Sequence, residues 1–333
     1  MAAMRFHRHG GPDALCAERI PVPVPQDDEV LVRVRALSLN GFDPMVLRGI
    51  ASLRTPLPMI PCADAAGEVA AAGPDVDGTM WPVGRRVSIV PLRPGAGMMG
   101  ETCQGVAAEY CIVPATALLG LPDGLDHRIA SCLPVACGTA FHMVRTRAGI
   151  ARGERVLITG AAGGVGTACV RLAHDAGAEV VASARAPHAP RLRALGAAHV
   201  VEDGDDDGLA AVLRRFGPPS IWGGGGLDVV IDLLGGAGWP RLVAALGRRG
   251  RLVTCGASAG ADVALDLRHV WSYEIDIMGA NGWTLDDQAA VLDLAARGVL
   301  SPPVHAVRPL SSLAEAMAEL IDGRVFGKSV LEP

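Results

Sequence analysis

Glycines at positions 160, 163, 164 and 166 interrupt a segment whose other residues are small or apolar. Ahead of them, Arg155-Val-Leu-Ile-Thr159 is short and rich in β-branched residues. Behind them, Thr167-Ala-Cys-Val-Arg-Leu-Ala continues in small and apolar residues towards Gly177. The pattern reads as strand, glycine turn and helix, with a second strand at 178–183. Glycine admits a turn that side chains would obstruct, and small residues let the helix approach the sheet. A helix opening here presents free backbone N–H groups and the positive end of its dipole, where a pyrophosphate can sit. The implied chemistry is that of a nicotinamide dinucleotide. The plainer alternative is an ordinary glycine-rich connection in an α/β protein.

The surrounding elements have the rhythm such a turn needs. From Gly153 onward, strands are expected at 155–159, 179–183, 199–201, 228–232, 251–255 and 276–280. Helical segments alternate with them, most clearly Arg191–Leu195, Leu209–Phe216 and Trp239–Leu246. This is the βαβ alternation of an open, doubly wound parallel sheet, so the fold class is α/β. Residues 1–122 read differently, as a β-rich region with short strands at 29–36, 67–72 and 86–90. Asp126–Cys137 reads as a helix followed by a turn, and Ala140–Ala148 as helical. Beyond Asn281, helices are expected at Leu285–Arg297 and Leu313–Ile321, and a last strand at Ser329–Leu331.

Composition narrows the function classes. A chain of 333 residues, 50% hydrophobic and 20% charged, holds two domains or one large core. A formal charge of −5, with lysines and arginines scattered, gives no reason to expect nucleic acid or an anionic membrane as partner. No apolar run has the length of a membrane span, and residues 1–10 lack a signal-peptide core, so a cytoplasmic location is expected. The eight cysteines include no C-x-x-C pair, so buried thiols are expected rather than a zinc knuckle.

Further fragments, taken in order, resemble the medium-chain dehydrogenase/reductase superfamily, in particular its zinc-free quinone oxidoreductase-like branch. They are Ser38-Leu-Asn-Gly-Phe-Asp43 followed by Leu47-Arg-Gly49, Pro61-Cys-Ala-Asp-Ala-Ala-Gly67, Val83-Gly-Arg-Arg-Val87, Ala108-Glu-Tyr110 and Leu133-Pro through Thr139. The glycine turn, Val253-Thr-Cys-Gly-Ala257, Met278-Gly-Ala280 and Gly327-Lys-Ser-Val-Leu331 complete the series. The resemblance implies a Rossmann domain packed on a β-rich, GroES-like catalytic domain that the C-terminal segment completes. The expected division is 1–135 for the GroES-like domain, 136–280 for the Rossmann domain and 281–333 for the return to the first.

The same resemblance assigns residues. Gly163, Gly164, Val165 and Gly166 would approach the pyrophosphate. Thr139 and Asn281 would lie towards the nicotinamide, Gly256 beside the cofactor at a strand end, and Lys328 near a phosphate. Plainer roles exist for Thr139 as a helix cap, Asn281 in a turn and Lys328 as an exposed terminal-strand lysine. For cofactor choice, NAD-selective Rossmann proteins place an acid near the end of the second strand. Ala184 stands near that position and Arg185 follows it. A guanidinium can grip a 2′-phosphate, and Ser183 can add a hydroxyl, so NADP(H) is the expected cofactor. An exposed charge at a helix entry is the alternative for Arg185.

Against the metal-dependent alcohol dehydrogenases, the first cysteine ligand position holds Asn40, the histidine position Ala63 and the third position Val135. Those types cannot form a catalytic zinc site. The lobe that carries a structural zinc in such enzymes keeps only Cys103 and Cys111. The expected reaction is therefore zinc-independent hydride transfer from NADPH to a quinone or α,β-unsaturated carbonyl compound. Asn40 would position the carbonyl, with Asp43 and Asp64 maintaining the polar network around it. Local turn bonding for Asn40, and packing roles for the two aspartates, are the alternatives. The tyrosines usual near this asparagine are absent, Gly41 and Met45 standing in their places, so solvent would supply the proton. Phe42, Met45, Leu47, Ile50, Met98, Met99, Trp271 and Trp283 are candidates to line an apolar pocket. A homodimer is expected, with 276–280 as a contact edge. An enoyl-thioester reductase, with Arg33, Arg35, Arg48 and Arg54 to meet the thioester arm, remains open, as does a non-catalytic dinucleotide-binding protein.

Overall fold

Along Glu29–Ser38, Val30, Val32, Val34 and Ala36 are buried while Arg33 is exposed. The alternation runs through the middle of the strand, while Leu31, Leu37 and Ser38 are buried as well, covering both faces towards the ends. This is the central strand of the first of two units in the computed structural model, which describes residues 1–93, 95 and 97–333. The first unit comprises Met1–Ala136 and Gln288–Pro333, the second Cys137–Asp287.

In the first unit a seven-stranded sheet runs Val304–Pro309, Lys328–Glu332, Glu29–Ser38, Asp64–Ala72, Arg86–Ile89 and Leu118–Gly120. The seventh strand, Tyr110–Pro114, shares an edge of Glu29–Ser38 with the C-terminal strand. It pairs with residues 29–33, while Val330 and Leu331 pair with Ser38 and Leu37. On the other side Ser38 lies opposite Asp64. Three distant stretches of sequence thus end side by side. A hairpin of Ala2–Phe6 and Leu15–Arg19 packs with the sheet around Phe6, Leu37, Met59, Ile89, Leu313 and Met317, all essentially inaccessible. This is the GroES-like β-rich domain, closed by the C-terminal strand.

The second unit holds a six-stranded, wholly parallel sheet. Its spatial order is His199–Val201, Glu179–Ser183, Arg155–Ile158, Leu227–Asp232, Leu246–Thr254 and Asp276–Gly279. Numbered along the unit this is 3-2-1-4-5-6, the Rossmann order, whose switch point lies beside the first strand. Val156, Leu157, Ile158, Val229, Val230 and Ile231 are covered on both faces, as a parallel sheet requires. The helix Gly164–Asp175 buries Ala168, Cys169, Val170, Leu172 and Ala173.

Two of the departures of local structure from the sequence reading concern helices. His127–Ser131 is helical, with the Asp126 carboxylate accepting from Arg128 N–H at 2.6 Å, but the turn that follows is Cys132 alone. The chain continues as a π-helix at Leu133–Cys137, a short α-helix at Gly138–Phe141 and a second π-helix at His142–Arg147. Pro134 has no N–H to give the ordinary helical bond, which favours local rewinding there. Leu246, expected to end a helix, instead begins the strand Leu246–Thr254, and the preceding helix stops at Ala244. Among the described residues no helix is long and apolar enough to cross a membrane.

Candidate functional site

Except for Thr139 and Lys328, the residues expected to hold a dinucleotide gather at the carboxyl ends of the parallel strands in the second unit. Gly163–Gly166 follow Arg155–Ile158. Ser183 ends its strand and Arg185 lies just beyond it. Gly256 follows Thr254, and Asn281 follows Gly279. Thr139, on Gly138–Phe141, is buried, whereas Asn281 is exposed.

The two outer glycines of the turn are glycine for different reasons. A Cβ on Gly166 would stand 2.3 Å from Gly160 O and 2.6 Å from Ala161 Cα, so packing against the turn forbids any side chain. A Cβ on Gly163 would meet only Gly160 O, at 3.6 Å, an ordinary contact. Gly163 is exposed and caps the helix with no side-chain bond to the helix N–H groups. The N–H groups of Gly164, Val165 and Gly166 are the unfilled donors of a helix N-terminus. Open space and free donors together fit a pyrophosphate. Gly256 is fixed by its neighbours, since a Cβ there would stand 2.5 Å from Leu233 O.

Sequence reasoning missed the network that holds these strand ends in place. Asp232, wholly buried, accepts from Thr159 Oγ1 at 2.7 Å, Trp239 Nε1 at 2.8 Å and Gly235 N–H at 2.9 Å. Thr159 Oγ1 in turn accepts from Leu233 N–H at 3.1 Å. A carboxylate closing the apolar run Val229–Ile231 was the available signal. A cleft of about 200 Å³ opens over this network, lined among others by Thr159, Ser183, Asp203, Asp232, Gly235 and Ala259. In it the Ser183 hydroxyl donates to Asp203 Oδ1 at 2.6 Å. Arg185 is exposed and pairs with no acidic side chain among the described residues.

The first unit assembles the other candidates. Asn40, Asp43, Asp64 and Lys328 are all buried, Asp64 completely and Lys328 to 2% exposure. Asn40 Nδ2 donates to Asp64 Oδ2 at 2.9 Å, and Val135 N–H donates to Asp64 Oδ1 at 3.0 Å. Lys328 Nζ donates to Asp64 Oδ2 at 3.2 Å and also to Asn40 Oδ1. Asn40 N–H donates to Asp43 Oδ2 at 2.7 Å, while Asp43 Oδ1 has no partner. Burial pushes the Asp43 carboxyl up to about 7, against the bond from Asn40 and the Lys328 charge. Burial likewise raises Asp64, opposed chiefly by Lys328. Cys62, wholly buried near these charges, is driven well up by the same desolvation. Its φ of 69° is left-handed, and Cβ atoms on Gly100 or Gly105 would strike its backbone.

The cluster changes what several expected residues can do. Lys328 is not an exposed terminal lysine, and its Nζ is committed to Asn40 and Asp64. Asn40 makes more than local turn bonds, because its side chain ties two other segments together. Asn40 and Val135, two of the positions where metal-dependent alcohol dehydrogenases carry ligands, both bond to Asp64, the neighbour of the third position, Ala63, and Asn40 and Asp64 meet the Lys328 ammonium. Among the described residues no set of three or more His, Cys, Asp and Glu is placed to hold a metal. Of the apolar pocket candidates, Leu47 and Met99 are core residues at 1% exposure. Trp283 packs over Gly138, where a Cβ would come within 2.7 Å of its ring, and Trp271 is 70% exposed.

Comparison with known proteins agrees with this architecture. Residues 26–123 match the alcohol dehydrogenase GroES-like domain family and 164–297 the zinc-binding dehydrogenase family. Human quinone oxidoreductase is 26% identical over 99% of this chain and 97% of its own length. A solved NAD-dependent alcohol dehydrogenase is 33% identical over the whole of both chains, with a TM-score of 0.92. A cobalt- and zinc-bound thermostable alcohol dehydrogenase from Pyrobaculum aerophilum is 31% identical over 100% of this chain and 99% of that one, with a TM-score of 0.87. The chain belongs to the medium-chain dehydrogenase/reductase superfamily, is related to its quinone oxidoreductase-like branch, and is an NAD(P)-dependent oxidoreductase.

Proposed function

We propose that this chain transfers hydride, without a metal ion, from a nicotinamide dinucleotide to a quinone or α,β-unsaturated carbonyl compound. The observation that carries this reading is the Lys328 ammonium bound to Asn40 and Asp64. A fixed positive charge fills the place where the metal-dependent alcohol dehydrogenases assemble ligands, and donors to carbonyl oxygen must then be N–H groups. When bound, the nicotinamide supplies the hydride.

Gly163, Gly164, Val165 and Gly166 hold the pyrophosphate, with Thr139, Gly256 and Asn281 towards the nicotinamide. Asn40 gives one amide hydrogen to Asp64 and keeps the other for the substrate oxygen. Hydride adds to the β-carbon, the C=C pair shifts between the α- and carbonyl carbons as the C=O pair moves onto oxygen to give an enolate, and solvent returns a proton to the α-carbon. Asp43 and Asp64 position Asn40, and Asp43 keeps a proton near it below about pH 7. Arg185 favours NADP(H) by its charge, whereas Asp203 beside Ser183 opposes it.

A homodimer belongs to the same proposal. The strand Asp276–Gly279 has a single neighbour, Leu246–Thr254, in its sheet. Ile277 on that strand is 38% exposed, and Leu267 and Trp271 on the helix Leu267–Ser272 are each 70% exposed. An open edge flanked by apolar side chains suits pairing with a second copy.

The test of the reaction is cofactor oxidation by chelator-treated protein against quinones, enones, enoyl thioesters and simple aldehydes. Turnover of quinones or enones without added metal is expected. Activity confined to aldehydes, and restored only by zinc, would overturn the reading.

A further inference from the structure

Resting on that reading, we infer that Asp203 makes the chain select NADH over NADPH, against the expectation raised by Arg185. Asp203 follows the third strand, His199–Val201, yet its carboxylate lies at the end of the second, 2.6 Å from Ser183 Oγ. The end of the second strand is where a Rossmann fold meets the 2′ position of the adenosine ribose. The acid missing from position 184 is therefore delivered from a neighbouring strand.

Two consequences follow for a 2′-phosphate. The Ser183 hydroxyl has one hydrogen, and that hydrogen is on Asp203. Ser183 therefore cannot donate to the phosphate while this bond stands. Asp203 pairs with no basic side chain among the described residues, so its charge remains to repel an anion and its other oxygen remains to accept from a ribose hydroxyl.

The rest of the cleft wall has the same sign. Glu202, Asp203, Asp205, Asp206 and Asp232 line it, and Arg241 is its one basic lining residue. Arg241 is already paired with Asp206. Arg185 does not line the cleft.

The experiment is titration of the whole protein with NADH and NADPH, followed by fluorescence, in the wild type, Asp203→Asn and Arg185→Ala. AMP and adenosine 2′,5′-bisphosphate serve as probes of the adenosine end alone. The wild type is expected to bind NADH at least about tenfold more tightly than NADPH, and AMP more tightly than the bisphosphate, by the repulsion of close like charges. Asp203→Asn is expected to strengthen NADPH binding about tenfold and to weaken NADH binding, which loses its ribose acceptor, and Arg185→Ala to leave the preference for NADH in place. Asp203 is exposed, so this substitution leaves the core untouched. Equal or tighter binding of NADPH by the wild type would overturn the inference, as would an Asp203→Asn effect equal for both cofactors. A protein that binds NADH selectively but reduces no quinone or enone upholds the selectivity and overturns the proposed reaction. One that binds neither dinucleotide overturns both.

Discussion

Burying Lys328 with Asp64 is tolerable only because each charge answers the other. Lys328→Met leaves Asp64 buried without its cation and is expected to cost about 3–5 kcal/mol of stability. Adding Asp64→Asn removes the stranded charge, so the double variant should recover part of that loss in chemical denaturation. A double variant no better than the single one would contradict the ion-pair account. Asp43 sets a pH dependence of its own. Burial raises its folded-state pKa to about 7 from a reference of 3.8, so the folded protein keeps a proton that the unfolded chain has released. Its contribution is most favourable below pH 4, weakens as pH rises, and is fully lost above about 7, a span of up to about 4 kcal/mol. Asp43→Asn keeps an oxygen for Asn40 N–H and should remove that slope, gaining stability relative to wild type at pH 8 but not at pH 4. Parallel stability profiles for the two proteins would contradict the burial of an ionisable Asp43.

At the scale of elements, the glycine turn separates structural from ligand-binding demands. Gly166→Ala drives a methyl into Gly160 and is expected to cost about 1–3 kcal/mol of stability. Gly163→Ala is expected to change stability by less than about 0.5 kcal/mol, yet weaken dinucleotide binding about tenfold by filling the space before the helix N-terminus. Equal losses of stability in both would contradict this division. The strand, turn and helix here were legible because composition, period and glycine spacing agreed over a long window. Strands Ala2–Phe6, Leu15–Arg19, Tyr110–Pro114 and Val304–Pro309 were not, because they are short and several carry charged or half-exposed residues. Their stability comes from pairing with distant partners, which local pattern does not record. The π-helices around Gly138 were hidden for a related reason, since segments of five and six residues are too short to show a period of their own.

At the scale of the whole molecule, the site residues were legible as types but not as a set. The sequence marks Asn40, Asp64 and Lys328 separately, and only the sheet order, with Lys328–Glu332 beside Glu29–Ser38, joins them. Asp203 was hidden in the acidic run Glu202–Asp207 until the strand order placed it against Ser183. The open edge at Asp276–Gly279 carries an expectation at this scale as well. Ile277→Lys places a charge on that edge and should convert dimers to monomers in sedimentation or light scattering while the thermal transition persists. A dimer unaffected by the change would place its interface elsewhere. Nicotinamide cofactor deuterated at C4 should be incubated with chelator-treated protein and an enone, and the product examined by mass spectrometry and NMR. Deuterium at the β-carbon, with solvent hydrogen at the α-carbon, is the expected result. Deuterium on the carbonyl carbon, or transfer that stops when the metal is removed, would contradict it.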